Sequence, residues 1–240
     1  MRPASRSFLI ALMACWIFAC ADAMAADSVA NVTELKGTAF ASAPGTTGTR
    51  TLKLNDKLFQ GERVITGKDS RLEFKFTDGT GITLGSSTII NVDTYAYRKK
   101  AAQQQPEAEE EDEGFSMSIL RGTVRAFTGL LAKRRPRSVR FKTKVATIGI
   151  RGTHFAAEVE GDSATIILLA QEDAAASNAI EVSNEFGKVE IDKAGWGTEV
   201  PDASSPPSPP RKMQTPHNMN RVLRSVQTQR RVVVPRMRMH

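Results

Sequence analysis

Catalysis by side chains needs a nucleophile, a base or a set of metal ligands that converge, and this sequence is sparing with all three. It has three histidines, two of which, His217 and His240, lie near the C-terminus. His154 is alone in the middle of the chain, with no spaced Cys, Asp or Glu to complete a triad or a metal site. It reads as a surface or satisfied histidine. The sharpest local feature is the run Gly149-Ile150-Arg151-Gly152-Thr153, followed by His154 and Phe155. A loop of this composition would present backbone N–H groups and a guanidinium to an anion or to a partner's carboxylate. It would equally serve as a tight turn, with glycine at positive φ and Arg151 capping carbonyls, and the turn is the favoured reading. Asp78-Gly79 is a second such pair, a strong hairpin signal between alternating apolar residues. No catalytic residue, cofactor or metal ligand set is expected.

The charged stretches divide by sign. The formal net charge is +7, but residues 26–200 carry 23 Lys/Arg against 24 Asp/Glu. The basic excess belongs to the tail from Pro201, where eight arginines and lysines face one acid, Asp202. Residues 99–113 hold three glutamines, Pro106 and a dense acidic run, without an apolar face. They read as a mobile insertion between strands, since the run lacks the alternating ligands and glycine of a calcium loop. Lys133, Arg134, Arg135 and Arg137 form a second, basic loop, a candidate contact for anionic lipid or for the acidic insertion. The tail's charge alone would attract nucleic acid, but an exported protein would rarely meet it, so no nucleic-acid partner is expected.

Export is the expectation from the first residues. Arg2 and Arg6 precede an apolar run from Phe8 to Ala19, and Ala23-Met24-Ala25 offers a small-x-small cleavage site. Residues 1–25 therefore read as a signal peptide, and the run is short for a membrane span, which needs roughly 20 apolar residues. Cys15 and Cys20 both fall inside it, so a mature chain cleaved after Ala25 has no thiol. Ile17-Phe18-Ala19-Cys20 loosely fits a lipoprotein box, which leaves lipid anchoring at Cys20 as the alternative. No other segment is apolar enough to span a bilayer.

The elements that must position these residues are strands. Leu72, Phe74 and Phe76 alternate with Arg71, Glu73 and Lys75, and Ile82 and Leu84 resume the period after Asp78-Gly79. Val139, Phe141, Thr143 and Val145 alternate in the same way. Ile166 to Leu169 are consecutive apolar residues, as in a central strand buried on both faces. Ile180 and Val182, then Val189 and Ile191, frame a turn at Asn184-Glu185-Phe186-Gly187. The pattern predicts an all-β protein, an antiparallel β-sandwich or β-roll of many short strands over residues 26–200. From Ala203 the Ser/Pro sequence predicts a disordered Pro-rich and then basic tail through residue 240.

These segments, in order, resemble the FecR domain. The stretch Leu54 to Gly67, ending Gly61-Glu62-Arg63-Val64-Ile65-Thr66-Gly67, is similar to the family's Gly-Asp-x-Val-x-Thr-Gly entry. Ser70 to Leu84 resembles its strand–Asp-Gly-Thr–strand, and Arg121-Gly122-Thr123-Val124 its second strand motif. Ala146 to Phe155 resembles its hallmark Ala-x-x-Gly-(Val/Ile)-Arg-Gly-Thr-x-Phe, and Ile180 to Gly195 its closing hairpin. The resemblance runs over about Val29 to Val200. It implies a non-catalytic periplasmic β module, best known from iron-transport regulators, where it senses a loaded outer-membrane receptor and signals to a sigma factor. There a cytoplasmic segment and a membrane helix precede the module, where this sequence has its leader. Signal transfer across the inner membrane by this chain alone is therefore not expected.

Two classes of function follow. One is a sensory, regulatory or protein-interaction module of the envelope, using Gly149, Ile150, Arg151, Gly152, Thr153 and Phe155, with Asp78 and Gly79, toward an unknown envelope protein. The other is a structural or ligand-binding envelope protein that contacts glycan or anionic lipid.

Overall fold

The computed structural model describes residues 27–97, 113–152, 154–170, 178–213 and 220. The expected leader, the acidic stretch 99–112, Thr153 and the expected basic tail beyond residue 213, Asn220 excepted, lie outside them. Among the described residues, seventeen strands, numbered in chain order, form two layers. The first layer runs β4 (Lys57–Phe59), β1 (Ser28–Lys36), β6 (Arg71–Phe76), β7 (Gly81–Leu84), the second half of β9 (Gly114–Phe127), β12 (His154–Glu160), β13 (Ser163–Leu168), β16 (Trp196–Val200) and β17 (Arg211–Lys212). The second runs β3 (Arg50–Thr51), β2 (Ala39–Ser42), β5 (Arg63–Thr66), β8 (Ile89–Ala96), the first half of β9, β10 (Val139–Lys142), β11 (Thr147–Arg151), β14 (Ala179–Asn184) and β15 (Gly187–Ile191). The all-β, many-stranded expectation holds.

The period-two pattern explains which side chains meet. In β6, Leu72, Phe74 and Phe76 are buried while Lys75 is exposed, and Leu72 and Phe74 sit opposite Leu84 and Ile82 of β7. An aromatic series crosses between the layers: Phe76 contacts Tyr95 and Phe115, Phe115 contacts Phe141, and Phe141 contacts Phe155, with ring centroids 4.9–5.3 Å apart. In β13, Ile166 and Leu168 face this core. Ile167 points the other way and joins Ala156, Leu169 and Met213 in a small second cluster. The strand is thus buried on both faces, as its unbroken apolar run implied.

Strand β9 belongs to both layers. Arg121 still pairs with Ile89 of the second layer, and Gly122 pairs with Val159 of the first. The bend falls at Gly122, whose φ is 93°. A Cβ there would lie 2.6 Å from the Thr88 Cα, so glycine is required by space as well as by conformation. Buried threonines secure the bend. Thr123 N–H donates to Thr88 Oγ1 at 3.1 Å, and Thr88 N–H to Thr66 Oγ1 at 2.9 Å.

Four features differ from the sequence expectation. First, the sheets are not wholly antiparallel, because β10 runs parallel to the start of β9, with Val139 opposite Phe115. The connection between them carries a short helix, α1 (Leu130–Arg134), and a single 3₁₀ turn (Pro136–Ser138), which return the chain to the same direction. Second, Lys133 and Arg134 end α1 and Arg137 lies in the 3₁₀ turn, with Arg135 between the two, so the stretch is not one open loop; burial of Leu131 and Ala132 holds α1 in place. Third, Glu113, placed at the end of the acidic insertion, is buried against the sheet. Fourth, the Pro-rich segment packs on the domain through residue 213. Pro207 is buried, Ser208 N–H donates to Glu199 O at 2.9 Å, and Thr198 Oγ1 donates to Ser208 O at 2.6 Å. β17 then extends the first layer, and Met213 covers Ile167. Gly197 permits this approach, since a Cβ would lie 2.9 Å from the Met213 Cγ.

Candidate functional site

Asp78 occupies the turn between β6 and β7. Phe76 O accepts from Gly79 N–H, and Gly79 has φ 90°, so the connection is a type I turn closed by a left-handed glycine. The Asp78 carboxylate is turned inward and buried. Its Oδ1 accepts the Thr80 N–H at 2.9 Å and the Tyr95 hydroxyl at 3.3 Å. Its Oδ2 accepts the Thr80 hydroxyl at 2.8 Å and the Leu131 N–H at 3.3 Å. Asp78 N–H donates to Tyr95 Oη, and Asp78 O accepts from Leu130 N–H. The residue thus joins the hairpin, β8 and the first turn of α1. Gly129 completes the junction, because a Cβ there would lie 2.4 Å from Asp78 O. Burial pushes the Tyr95 phenol far above its ordinary value. Asp78 has no surface to offer a partner, which corrects its expected role. The hub is structural, and a buried carboxylate with its hydrogen bonds satisfied is the arrangement in which such a group is tolerated.

The Gly149–Phe155 run splits between core and surface. Ile150 and Phe155 are buried core residues, and Gly149 lies in β11 opposite Glu181. Gly152 has φ 57° at the corner where the chain passes from β11 in one layer to β12 in the other, as the turn reading requires. Among the described residues Arg151 caps no carbonyl. Its side chain is 57% exposed and Nη2 donates to Glu190 Oε1 on β15. His154 is satisfied: Nε2 accepts from Arg125 Nε at 2.6 Å, and Nδ1 lies 3.1 Å from Ala170 O. These contacts select the neutral tautomer with its proton on Nδ1. The Phe127 ring packs edge-on against His154, and Phe127 and Leu130 are 50% and 46% exposed.

Of the basic residues, Lys133, Arg134 and Arg137 are exposed, and Arg134 stacks over Tyr97 at 5.7 Å. Arg135 is half-buried, and its Nη1 has no hydrogen-bond partner among the described residues.

Two features escaped the sequence reading. Arg50 clasps the buried Glu62 through Nε at 3.2 Å and Nη2 at 2.9 Å, and Glu62 Oε2 also accepts the Phe59 N–H. Glu62 had stood out only as part of the FecR-like stretch Leu54 to Gly67. Nearby, Ser42, Thr46, Arg63, Asn91 and Asp93 line an open polar groove of about 470 Å³ between β2, β5 and β8. Among the described residues no three metal-ligating side chains come together, and no helix is long and apolar enough to cross a membrane.

The buried Asp78 turn, the Gly122 bend and the Gly152 corner all fall inside residues 62–172, which match the model of the FecR protein family. The fold is wider than the FecR match, because β1 to β4 precede it and β14 to β17 follow it within the same two layers. No curated protein matches the sequence. Two crystal structures of a candidate anti-sigma factor from Parabacteroides distasonis ATCC 8503 are similar, each with a TM-score of 0.44, at 11% and 10% identity over 63% of this chain. The alignment spans 60% of the length of that protein. A structure described as a cell surface anchoring domain aligns at 32% identity over 26% of this chain and 82% of its own, with a TM-score of 0.25.

Proposed function

We propose that this chain is a non-catalytic sensory or regulatory module of the bacterial cell envelope that works by binding another protein. The observation that carries the reading is how the FecR region uses its motif residues. Asp78, Gly122, Ile150 and Phe155 are spent on the core, the turn and the bend that hold the two layers together. What the same region leaves outside is a recognition surface. Phe127 stands exposed against His154, one corner away from Arg151, and Leu130, three residues further along the chain, is also exposed. Exposed apolar side chains beside polar ones are the composition of a protein contact. The module would sit in the periplasm after removal of its leader.

The polar groove favours a second reading, in which the chain holds a glycan. Arg63 and Asn91, joined at 3.1 Å, and Asp93 offer the donors and acceptors that sugar hydroxyls need.

A pull-down from envelope extract separates the two, with the purified chain and its Phe127→Ser/Leu130→Ser variant as baits. Recovery of a receptor or sigma regulator by the first bait and not the second supports the proposal. Recovery of glycan alone, equal for both baits and lost in Arg63→Ala, sinks it in favour of the second reading.

A further inference from the structure

Each layer ends in two edge strands, and an edge offers unpaired N–H and C=O groups to another chain. Three of the four edges are poor templates. β3 and β17 have two residues each, and the Lys57 carbonyl of β4 is already taken by Arg50 Nη2 at 2.7 Å. β15 is different. It has five residues and, among the described residues, pairs only with β14. The β14–β15 hairpin closes on Asn184 opposite Gly187, so Val189 and Ile191 direct their backbone groups toward β14. Those of Lys188 and Glu190 point outward and have no partner among the described residues.

The side chains of this edge are self-complementary. We propose that β15 pairs with β15 of a second copy of the chain, antiparallel, about a two-fold axis at Val189. In that register Lys188 faces the second copy's Glu190, and Glu190 faces its Lys188. Each facing pair exchanges both of its backbone hydrogen bonds, because these are the residues whose groups point outward. The neighbouring registers are disfavoured. A slip of one residue on each strand sets Lys188 against Lys188, or Glu190 against Glu190, and like charges directly opposite are destabilising. Glu190 also lies directly opposite Glu181 on β14, an acidic pair that Arg151 reaches from one side and Lys188 reaches only at 3.5 Å. The second copy's Lys188 supplies the cation on the open side. Val189, half-buried and packed on the core, meets its own copy at the axis, so the interface is isologous and closed.

Charge reversal tests this directly. Sedimentation equilibrium of the purified full chain should show a monomer–dimer equilibrium. Lys188→Glu alone, or Glu190→Lys alone, sets like charges together twice per dimer and should weaken it roughly tenfold or more. An equimolar mixture of the two variants restores opposite charges at both positions and should give the heterodimer. Circular dichroism melts keep folding separate from association. Glu190→Pro, which removes an N–H that the monomer does not use, should leave a folded monomer. A wild-type chain that stays monomeric through the concentration series overturns the proposal. So does a dimer that survives both reversals, or a mixture that fails to associate.

Discussion

Replacing Asp78 with alanine tests whether the hub carries the fold. The substitution leaves three donors without their acceptor: the Thr80 N–H, the Thr80 hydroxyl and the Leu131 N–H. The fourth donor, the Tyr95 hydroxyl, can turn to Thr77 Oγ1 at 2.8 Å. A buried donor left unsatisfied costs about 1–3 kcal/mol. Taking the low end for each, because the turn lies near the surface and water enters, gives about 3–4 kcal/mol. Removing a buried charge recovers some desolvation energy, so the net loss should be about 3 kcal/mol. With a urea m-value of about 2 kcal/mol/M for a domain of this size, the midpoint should fall by about 1.5 M at unchanged m. Asp78→Asn keeps the shape but places an amide where Oδ1 or Oδ2 now accepts, and should cost less than alanine. Urea unfolding followed by tryptophan fluorescence and by circular dichroism gives both numbers. A loss below about 1 kcal/mol for Asp78→Ala would show that the carboxylate is not the junction between hairpin, β8 and α1.

Tyr95 has a folded-state value raised above its unfolded one, so its stabilising contribution is present below about pH 10 and is lost as pH rises beyond it, by about 1.4 kcal/mol per unit. The melting temperature should therefore drop more steeply above pH 10 in wild type than in Tyr95→Phe, and parallel curves would count against the burial. Gly152→Ala, at φ 57°, should cost about 1–2 kcal/mol in urea unfolding. Arg151→Ala, which removes only an exposed ion pair, should change stability by less than about 0.5 kcal/mol. Ending the chain at Val200 uncovers Ile167 and removes the Ser208 bonds and β17, and should lower stability by about 3 kcal/mol; an unchanged unfolding midpoint would show that the Pro-rich segment adds nothing.

Local pattern was readable and long-range placement was not. Alternation at Leu72, Phe74 and Phe76 marked a half-buried strand, and the run at Ile166 to Leu168 marked a doubly buried one, because side-chain period follows backbone geometry. Asp78-Gly79 announced a turn correctly. It could not announce that the carboxylate points inward, since a surface turn uses the same two residues and the partners Tyr95 and Leu131 are distant in sequence. The parallel β9–β10 pair was hidden for a related reason: strand direction depends on the path of the connection, and residues 133–137 looked like a basic loop. Composition misled at the C-terminus. Ser and Pro suggest a linker, yet one buried proline, a serine–threonine exchange and Met213 suffice to dock it. Of the candidate site residues, Arg151 emerged exposed as a partner contact would be, but held by Glu190 rather than by carbonyls.

Because β9 runs through both layers, the domain has no seam along which it can come apart. Its first half is clamped between β8 and β10, and its second half between β7 and β12. Fraying at either layer's outer strands leaves this strand in place, whereas its release would strip hydrogen bonds from four neighbours at once. Amide exchange in Met117, Ile119, Val124 and Ala126 should then proceed only through complete unfolding, at one shared rate set by global stability. A pulling force transmitted through the chain would meet its largest resistance here. A partner that tugs on either end of the molecule could peel the periphery without disturbing the centre.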